Sequence, residues 1–322
     1  MRNMATLIRA LLFAAAGLGG AAQASPQGVA AIAEIRSLGG KITIDEKTPG
    51  KPVIALDLSG TKLTDRGLQQ LTGFTSLQLL NLERTQVTDA GLEHLKRLTH
   101  LQLLDLFGDQ VTDAGLEHLA GLSNLHSLDL FGARVTDQGL RHLKGLTNLE
   151  SLDLSRTRVT DAGLEQLQGL TNLRTLYLAS TQVTDRGLEQ LKRLPSLQSL
   201  YLGDTHVTDA GLEQFKGLTQ LRKLDLGATG ITDAGLKQVQ GLTRLLSLGL
   251  HNTQVTDAGL AQLEGLSNLF SLDLHDTKVT SAGMEHLAAL TNLQSLNLCH
   301  TDVSEQGIEE LQRALPNCKI KR

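Results

Sequence analysis

The chain has 322 residues, a formal net charge of −4 at pH 7, 2% aromatic residues and no tryptophan. With so few large aromatics, a core of this size has to be filled by Leu, Val and Ile, which excludes an ordinary aromatic-anchored globule and favours many small, similar layers. The acidic balance excludes general nucleic-acid binding, because phosphate contacts need an excess of Lys and Arg.

In chain order, the first element is a leader. Arg2 and Arg9 form a basic start, Ala10 to Ala22 an apolar run broken only by glycines, and Ala22-Gln23-Ala24 a small-x-small cleavage pattern before Ser25. The run is shorter than the roughly 20 apolar residues a bilayer span needs. Residues 1–24 therefore read as a secretory signal peptide that is removed, with export to the periplasm or beyond and no membrane insertion afterwards. Residues 25–52 read as an N-terminal cap. Val29, Ile32, Ile35 and Leu38 mark an amphipathic helix, Gly39-Gly40 stops it, Ile42 and Ile44 mark a strand, and a loop runs from Lys47 to Pro52.

From Val53 to about residue 304 the sequence repeats. Leu77, Leu101, Leu125 and their successors to Leu293 are spaced by 24 without an insertion, giving about 11 units. One unit reads Leu77-x-x-Leu80-x-Leu82-x-x-Thr85-x-Val87-Thr88-Asp89-Ala90-Gly91-Leu92-x-x-Leu95-x-x-Leu98. Leu80-x-Leu82 alternates as a short strand does, whereas Leu92, Leu95 and Leu98 line one face of a helix. Thr88-Asp89 stands where a helix N-cap belongs. Gly91 falls in the first helical turn, where close approach of a neighbouring repeat is the expected reason. No unit buries its leucines alone, so the units must stack, strands on one side and helices on the other. Residues 305–322 read as a capping helix through Ile308, Leu311 and Leu315, with a final edge strand.

The pattern L-x-x-L-x-L-x-x-T-x-V-T-D-x-G-L resembles leucine-rich-repeat proteins, most closely their ribonuclease-inhibitor-like class. The resemblance implies an α/β solenoid: a right-handed leucine-rich-repeat horseshoe with parallel strands on the concave face and short helices on the convex face. Where the family usually carries Asn at the ninth position, this chain carries Thr, as at Thr61, Thr85 and Thr157, with Asp109 and Ala133 as exceptions. A threonine ladder is the expectation there.

Strand alternation puts the third, fifth and seventh positions on the concave surface, with equal positions of neighbouring repeats about 4.8 Å apart. The fifth position is acidic in many units, including Asp105, Asp129 and Asp153, and like charges in register repel unless solvated or paired. Arg84, Arg134, Arg156 and Arg158 lie near enough in the pattern to pair with some of them. Phe107, Phe131, Tyr177 and Tyr201 fall on the same surface, with Leu79 and Leu103 expected exposed beside them. Aromatic and arginine side chains are the usual anchors of protein interfaces. The partner-binding set is therefore Phe107, Phe131, Tyr177, Tyr201, Asp105, Asp129, Asp153, Leu79, Leu103, Arg134 and Arg156.

Further along, His251, His275 and Cys299 share the seventh position, while Asp276 and His300 share the eighth. These are metal donors, but they match no known ligand spacing, so a polar surface is expected, with His251, His275, Cys299 and His300 as the alternative metal set. Catalytic motifs such as G-x-S-x-G, a phosphate-binding loop, H-E-x-x-H and C-x-x-C do not occur. The expectation is a monomeric, non-catalytic module without a cofactor that binds a protein partner. A metal-dependent enzyme at the His/Cys patch is the alternative. The repeats are also similar to those of F-box leucine-rich-repeat proteins, which implies substrate recognition in a ubiquitin-ligase setting; residues 25–52 are too short for an F-box, and the leader points to another compartment. Cys299 is expected on the concave surface and Cys318 in the core, six residues out of register and roughly 20 Å apart. That is too far for a disulfide, which needs Cα atoms within about 7 Å.

Overall fold

The computed structural model describes residues 26–108 and 110–322. The leader assigned to residues 1–24 lies outside them, as does Asp109. The chain divides into two compact units at Leu149 and Glu150.

Unit 1 starts with a helix over Pro26–Ser37, whose Ala31 and Ile35 are buried one turn apart. Val29, expected on the buried face, is instead exposed. Strand β1 (Lys41–Ile44) pairs antiparallel with β2 (Val53–Asp57). β3 (Leu79–Asn81), β4 (Leu103–Asp105) and β5 (Ser127–Asp129) then add in parallel, with Ala55, Leu79, Leu103 and Ser127 in one row. Unit 2 contains β6 (Ser151–Asp153), β7 (Thr175–Tyr177), β8 (Ser199–Tyr201), β9 (Lys223–Asp225), β10 (Ser247–Gly249), β11 (Ser271–Asp273), β12 (Ser295–Asn297) and β13 (Lys319–Lys321). All are parallel, each paired with its sequence neighbour. Each unit is thus an α/β solenoid in which a 24-residue step in sequence is one step across the sheet. The last helix, Glu305–Ala314, and β13 end the chain.

The core is leucine stacked on leucine. Leu77, Leu80, Leu82, Val87, Leu92, Leu95 and Leu98 are all fully buried, and the same positions repeat along both units. Each such side chain gains about 1.5–3 kcal/mol on leaving water, so the layers, not any single contact, hold the fold. The helical segments are short and partly 3-10. Asp89–Leu92 continues into a 3-10 turn at Glu93–Arg97, and Gly187–Arg193 and Gly211–Gly217 are 3-10 throughout. A leucine every third residue suits a helix of three residues per turn.

The Thr-Asp-x-Gly run builds the joint between repeats. Thr112 caps its own helix, its Oγ1 accepting the Ala114 N–H at 3.3 Å. Asp89 reaches forward into the next repeat, where the Thr112 N–H donates to Oδ1 at 2.8 Å and the Thr112 hydroxyl donates to Oδ2 at 2.6 Å. The same two bonds recur from Asp65–Thr88 in unit 1 to Asp257–Thr280 in unit 2. The glycine two residues after the aspartate leaves room for this carboxylate: a Cβ on Gly91 would run into Asp65, and one on Gly115 into Asp89. A second ladder joins the turns between helix and strand, where the side-chain amides of Asn124 and Asn268 donate to the carbonyls of Thr99 and Thr243.

The ninth-position threonines do not run between repeats as expected. The hydroxyls of Thr157 and Thr205 each donate at 2.6 Å to the carbonyl three residues back, Leu154 and Leu202, closing their own turn. The reach is local because the residue before each threonine turns the chain sharply. Arg84, Arg156, Asp204, Ala228 and Asp276 all sit at positive φ there, as does Gly60.

Candidate functional site

The strand face opposite the leucine core carries the candidate residues. Its fifth-position acids are not a free spine of charge. Oδ1 of Asp105, Asp129 and Asp153 each accepts the backbone N–H two residues on, at Phe107, Phe131 and Ser155, at 2.8–2.9 Å. This local turn, which Asp and Asn side chains favour, gives each carboxylate a partner inside its own strand end. Asp57 shows the electrostatic consequence. Burial pushes its pKa up, but hydrogen bonds from the Ser59 hydroxyl, Lys41 and the Ser59 N–H outweigh it and hold the carboxyl below the usual range.

In unit 1 this face is apolar and shielded. Leu79 and Leu103, expected exposed, are 5% and 0% exposed and form a cluster with Ala55. They lie in register on adjacent strands, so each covers the flank of the next. Asp105 and Asp129 are buried as well. Phe107 and Phe131 stack obliquely, with ring centroids 4.6 Å apart, and the Arg84 guanidinium lies 5.0 Å above the Phe107 ring. Arg134 does not join this face. It lies past the turn, its N–H donating to the Val111 carbonyl, where its backbone bridges to Thr112.

In unit 2 the third position is mostly hydroxylic, as at Ser151, Thr175 and Ser199, and the face is half-open. Tyr177 and Tyr201 take the fifth position in place of aspartate and stack at 4.4 Å, nearly parallel. They are flanked in register by Asp153 and Asp225. Burial and then the charge of Asp225 push the Tyr201 phenol up, against a hydrogen bond with Tyr177. Arg156 sits in the left-handed turn, its N–H on the Ala179 carbonyl.

At the far end of unit 2 the expected histidine row is present, with Asp225 and Asp273 beside it as well as the expected Asp276. His251 and His275 stack in parallel at 4.7 Å. Asp273 Oδ1 is 2.9 Å from His275 Nδ1, Asp276 Oδ2 is 3.6 Å from His275 Nε2, and Asp225 Oδ1 is 3.8 Å from His251 Nδ1. His300 pairs with the other oxygen of Asp276 at 3.1 Å. The missed signal was positional: the fifth and seventh positions share a face, so an acid at one meets a histidine at the other. Cys299 follows at the seventh position, half-buried, while Cys318 is buried and its thiol is pushed up by that burial. Lys319 pairs with Ser295, so Cys318 stands opposite Gln294, five residues from Cys299 rather than six.

Among the described residues no helix is long and apolar enough to cross a membrane. Residues 121–143 and 195–255 match families described as leucine-rich repeat, and residues 147–192 the family described as leucine-rich repeats (2 copies). Comparison with curated proteins gives no match. Among solved structures, an internalin (InlF) of Listeria monocytogenes is 24% identical, with a TM-score of 0.59 over 94% of this chain and 97% of that one. Internalin C2 of the same organism is 29% identical, with a TM-score of 0.51 over 67% of this chain and 84% of that one. The Arabidopsis receptor kinase HAESA ectodomain, solved with an IDA peptide hormone, is 20% identical, with a TM-score of 0.57 over 80% of this chain and 43% of that one. The 24-residue step, the leucine layers and these matches agree: the chain is a leucine-rich-repeat protein.

Proposed function

We propose that the chain is an exported, non-catalytic module that holds a protein partner against its concave strand face. One observation carries this reading. The whole sequence has only six Phe and two Tyr, and four of these eight stand as two stacked pairs on the strand face, Phe107 buried and Phe131, Tyr177 and Tyr201 half-exposed. Stacked aromatics beside hydrogen-bonded carboxylates and an arginine are the chemistry of interface anchors. The hormone-bound plant receptor supports the reading as fold-level analogy only.

The test is capture with the exported protein as bait. Replacing Tyr177 and Tyr201 by Ser, and separately Phe131 by Ser, should leave the thermal melt close to that of the parent and weaken capture at least tenfold. Capture that survives both changes but is lost on altering exposed helix-side residues such as Glu93 and Lys96 would overturn the assignment. Export is tested on the same material, whose first residue should be Ser25.

A further inference from the structure

We propose that His251, Asp273 and His275 form a binding site for one first-row transition-metal cation of the Zn²⁺ or Cu²⁺ type on the strand face of unit 2. The three side chains come from two adjacent strand ends, β10 and β11, and each offers a donor atom within 4.8 Å of the other two. Two donors on a tetrahedral Zn²⁺ at about 2.0–2.1 Å lie about 3.4 Å apart. The 2.9 Å between His275 Nδ1 and Asp273 Oδ1 needs only a small opening to reach that. All three groups are half-buried, and one of the two stacked rings must turn before the in-plane lone pairs of both reach one ion.

The surroundings are those of a ligand set and not of an isolated acid–base pair. Metal-bound imidazoles characteristically direct their second nitrogen at a carboxylate, which fixes the ring and strengthens the donor. Here each histidine has a carboxylate at ion-pair distance from one ring nitrogen, 3.6 Å for His275 and 3.8 Å for His251. Asp276 faces Nε2 of His275, leaving Nδ1 for the cation beside Asp273. Asp225 faces Nδ1 of His251, leaving Nε2 for the cation. Space for the arrangement is cleared by two glycines. A Cβ on Gly227, at the seventh position one repeat earlier, would overlap the His251 ring, and a Cβ on Gly249 would overlap the Asp225 carboxylate. Elsewhere on the face these positions carry bulkier side chains, such as Phe107, Phe131, Tyr177 and Tyr201. Three carboxylates around two imidazoles favour a cation over an anion, and nitrogen donors favour a borderline transition metal over Ca²⁺ or Mg²⁺, which take oxygen ligands.

The experiment is titration of the purified full chain with Zn²⁺ and with Cu²⁺ at mildly alkaline pH, where protons compete least. It is read by calorimetry, by metal content after dialysis, and by the Cu²⁺ spin-resonance spectrum for nitrogen coupling. One ion per chain is expected. His251→Ala and His275→Ala should each weaken binding at least tenfold, and His94→Ala on the helix side should not. Asp273→Asn should also weaken it while keeping the fold, because Asn297 makes the same turn bond at the equivalent position, accepting the Cys299 N–H. Binding unchanged in the two histidine variants, no ion retained by the parent, or Ca²⁺ bound as tightly as Zn²⁺ would each overturn the proposal.

Discussion

At the edge where the helices begin, the joints between repeats use the same parts: an aspartate, a threonine in the next repeat holding both its oxygens, and a glycine that clears the space. Bond lengths stay at 2.6–2.8 Å from Asp89–Thr112 to Asp257–Thr280. On the strand face nothing is so constant. The fifth position alone is Asp105, Tyr177, Gly249 and Asn297, and the third changes from Leu103 in unit 1 to Ser199 in unit 2. The strand burial follows: every residue of β3, β4 and β5 is buried, whereas β6 to β11 alternate half-exposed and buried. Within one chain, then, the edge repeats one joint almost unchanged, and the face differs from repeat to repeat. A surface that a fold does not need is the surface a ligand can shape.

The largest effect should come from a change that both regions feel. One residue inserted between Leu200 and Tyr201 turns every later side chain of that strand to the opposite face. It should abolish cooperative unfolding in a thermal melt. One residue inserted in the 46–51 loop only lengthens a connection and should cost about 1 kcal/mol or less. Equal melts for the two insertions would refute the strand register.

Next is the joint itself. Asp161 holds the Thr184 N–H and hydroxyl at 2.8 and 2.7 Å, and a Cβ on Gly187 would sit 2.5 Å from its Oδ1. Asp161→Ala should cost about 2 kcal/mol through lost bonds to a charged acceptor, and Gly187→Ala about as much through overpacking. The double variant should fall short of the sum by at least about 1 kcal/mol, because removing the carboxylate makes room for the methyl group. Strict additivity in denaturant melts would break the account of the glycine. On the face, Asp153→Ala loses one turn bond and should cost about 1 kcal/mol.

The two thiols sample face and core directly. Native, unreduced protein should label quickly at Cys299 and slowly at Cys318, and unfolding without reductant should reveal two free thiols. No free thiol after unfolding, in protein that runs as a monomer, would overturn the register of the last strand.

The smallest effect concerns Tyr201. Its phenol is held above the usual value near 10 by burial and then by Asp225. The neutral phenol's contribution to stability is therefore complete below the unfolded value and is lost as pH rises through the higher folded one. Asp225→Asn should bring the phenolate absorption curve part of the way back, leaving the part due to burial. No movement would mean that burial acts alone.

Much of this was legible in the residues. The 24-residue spacing forces the strand and helix sides, and the capping threonine, as at Thr112, and Cys318 in the core follow from position alone. The glycine's role was legible as a close approach, but not what approached it, because Asp65 lies a full repeat away in sequence. Local reading offers water or an arginine as the partner of Asp105 and Asp129, since the backbone N–H that each accepts is revealed by no side-chain pattern. Leu79 and Leu103 were placed outside because alternation says which way a side chain points and not whether water reaches it. The meeting of His275 with Asp273 shows in neither column of positions alone, because it joins the fifth position to the seventh.

The Asp–Thr joint also has a direction. From Asp65–Thr88 to Asp257–Thr280 the carboxylate belongs to the earlier repeat and the threonine it holds to the later one. A chain leaving the ribosome N-terminus first therefore presents each acceptor before its donor has been made. Growing from the N-terminus, each added repeat would bring its threonine to a carboxylate already in place. Growth in the opposite sense would leave threonine donors waiting for a charge not yet present. The joint ends in a weaker pair, with Ser281 and Ser304 hydroxyls 2.8 Å apart where aspartate would stand. The C-terminal joint is thus the one fastened without a carboxylate, and it is where unzipping of the stack should begin.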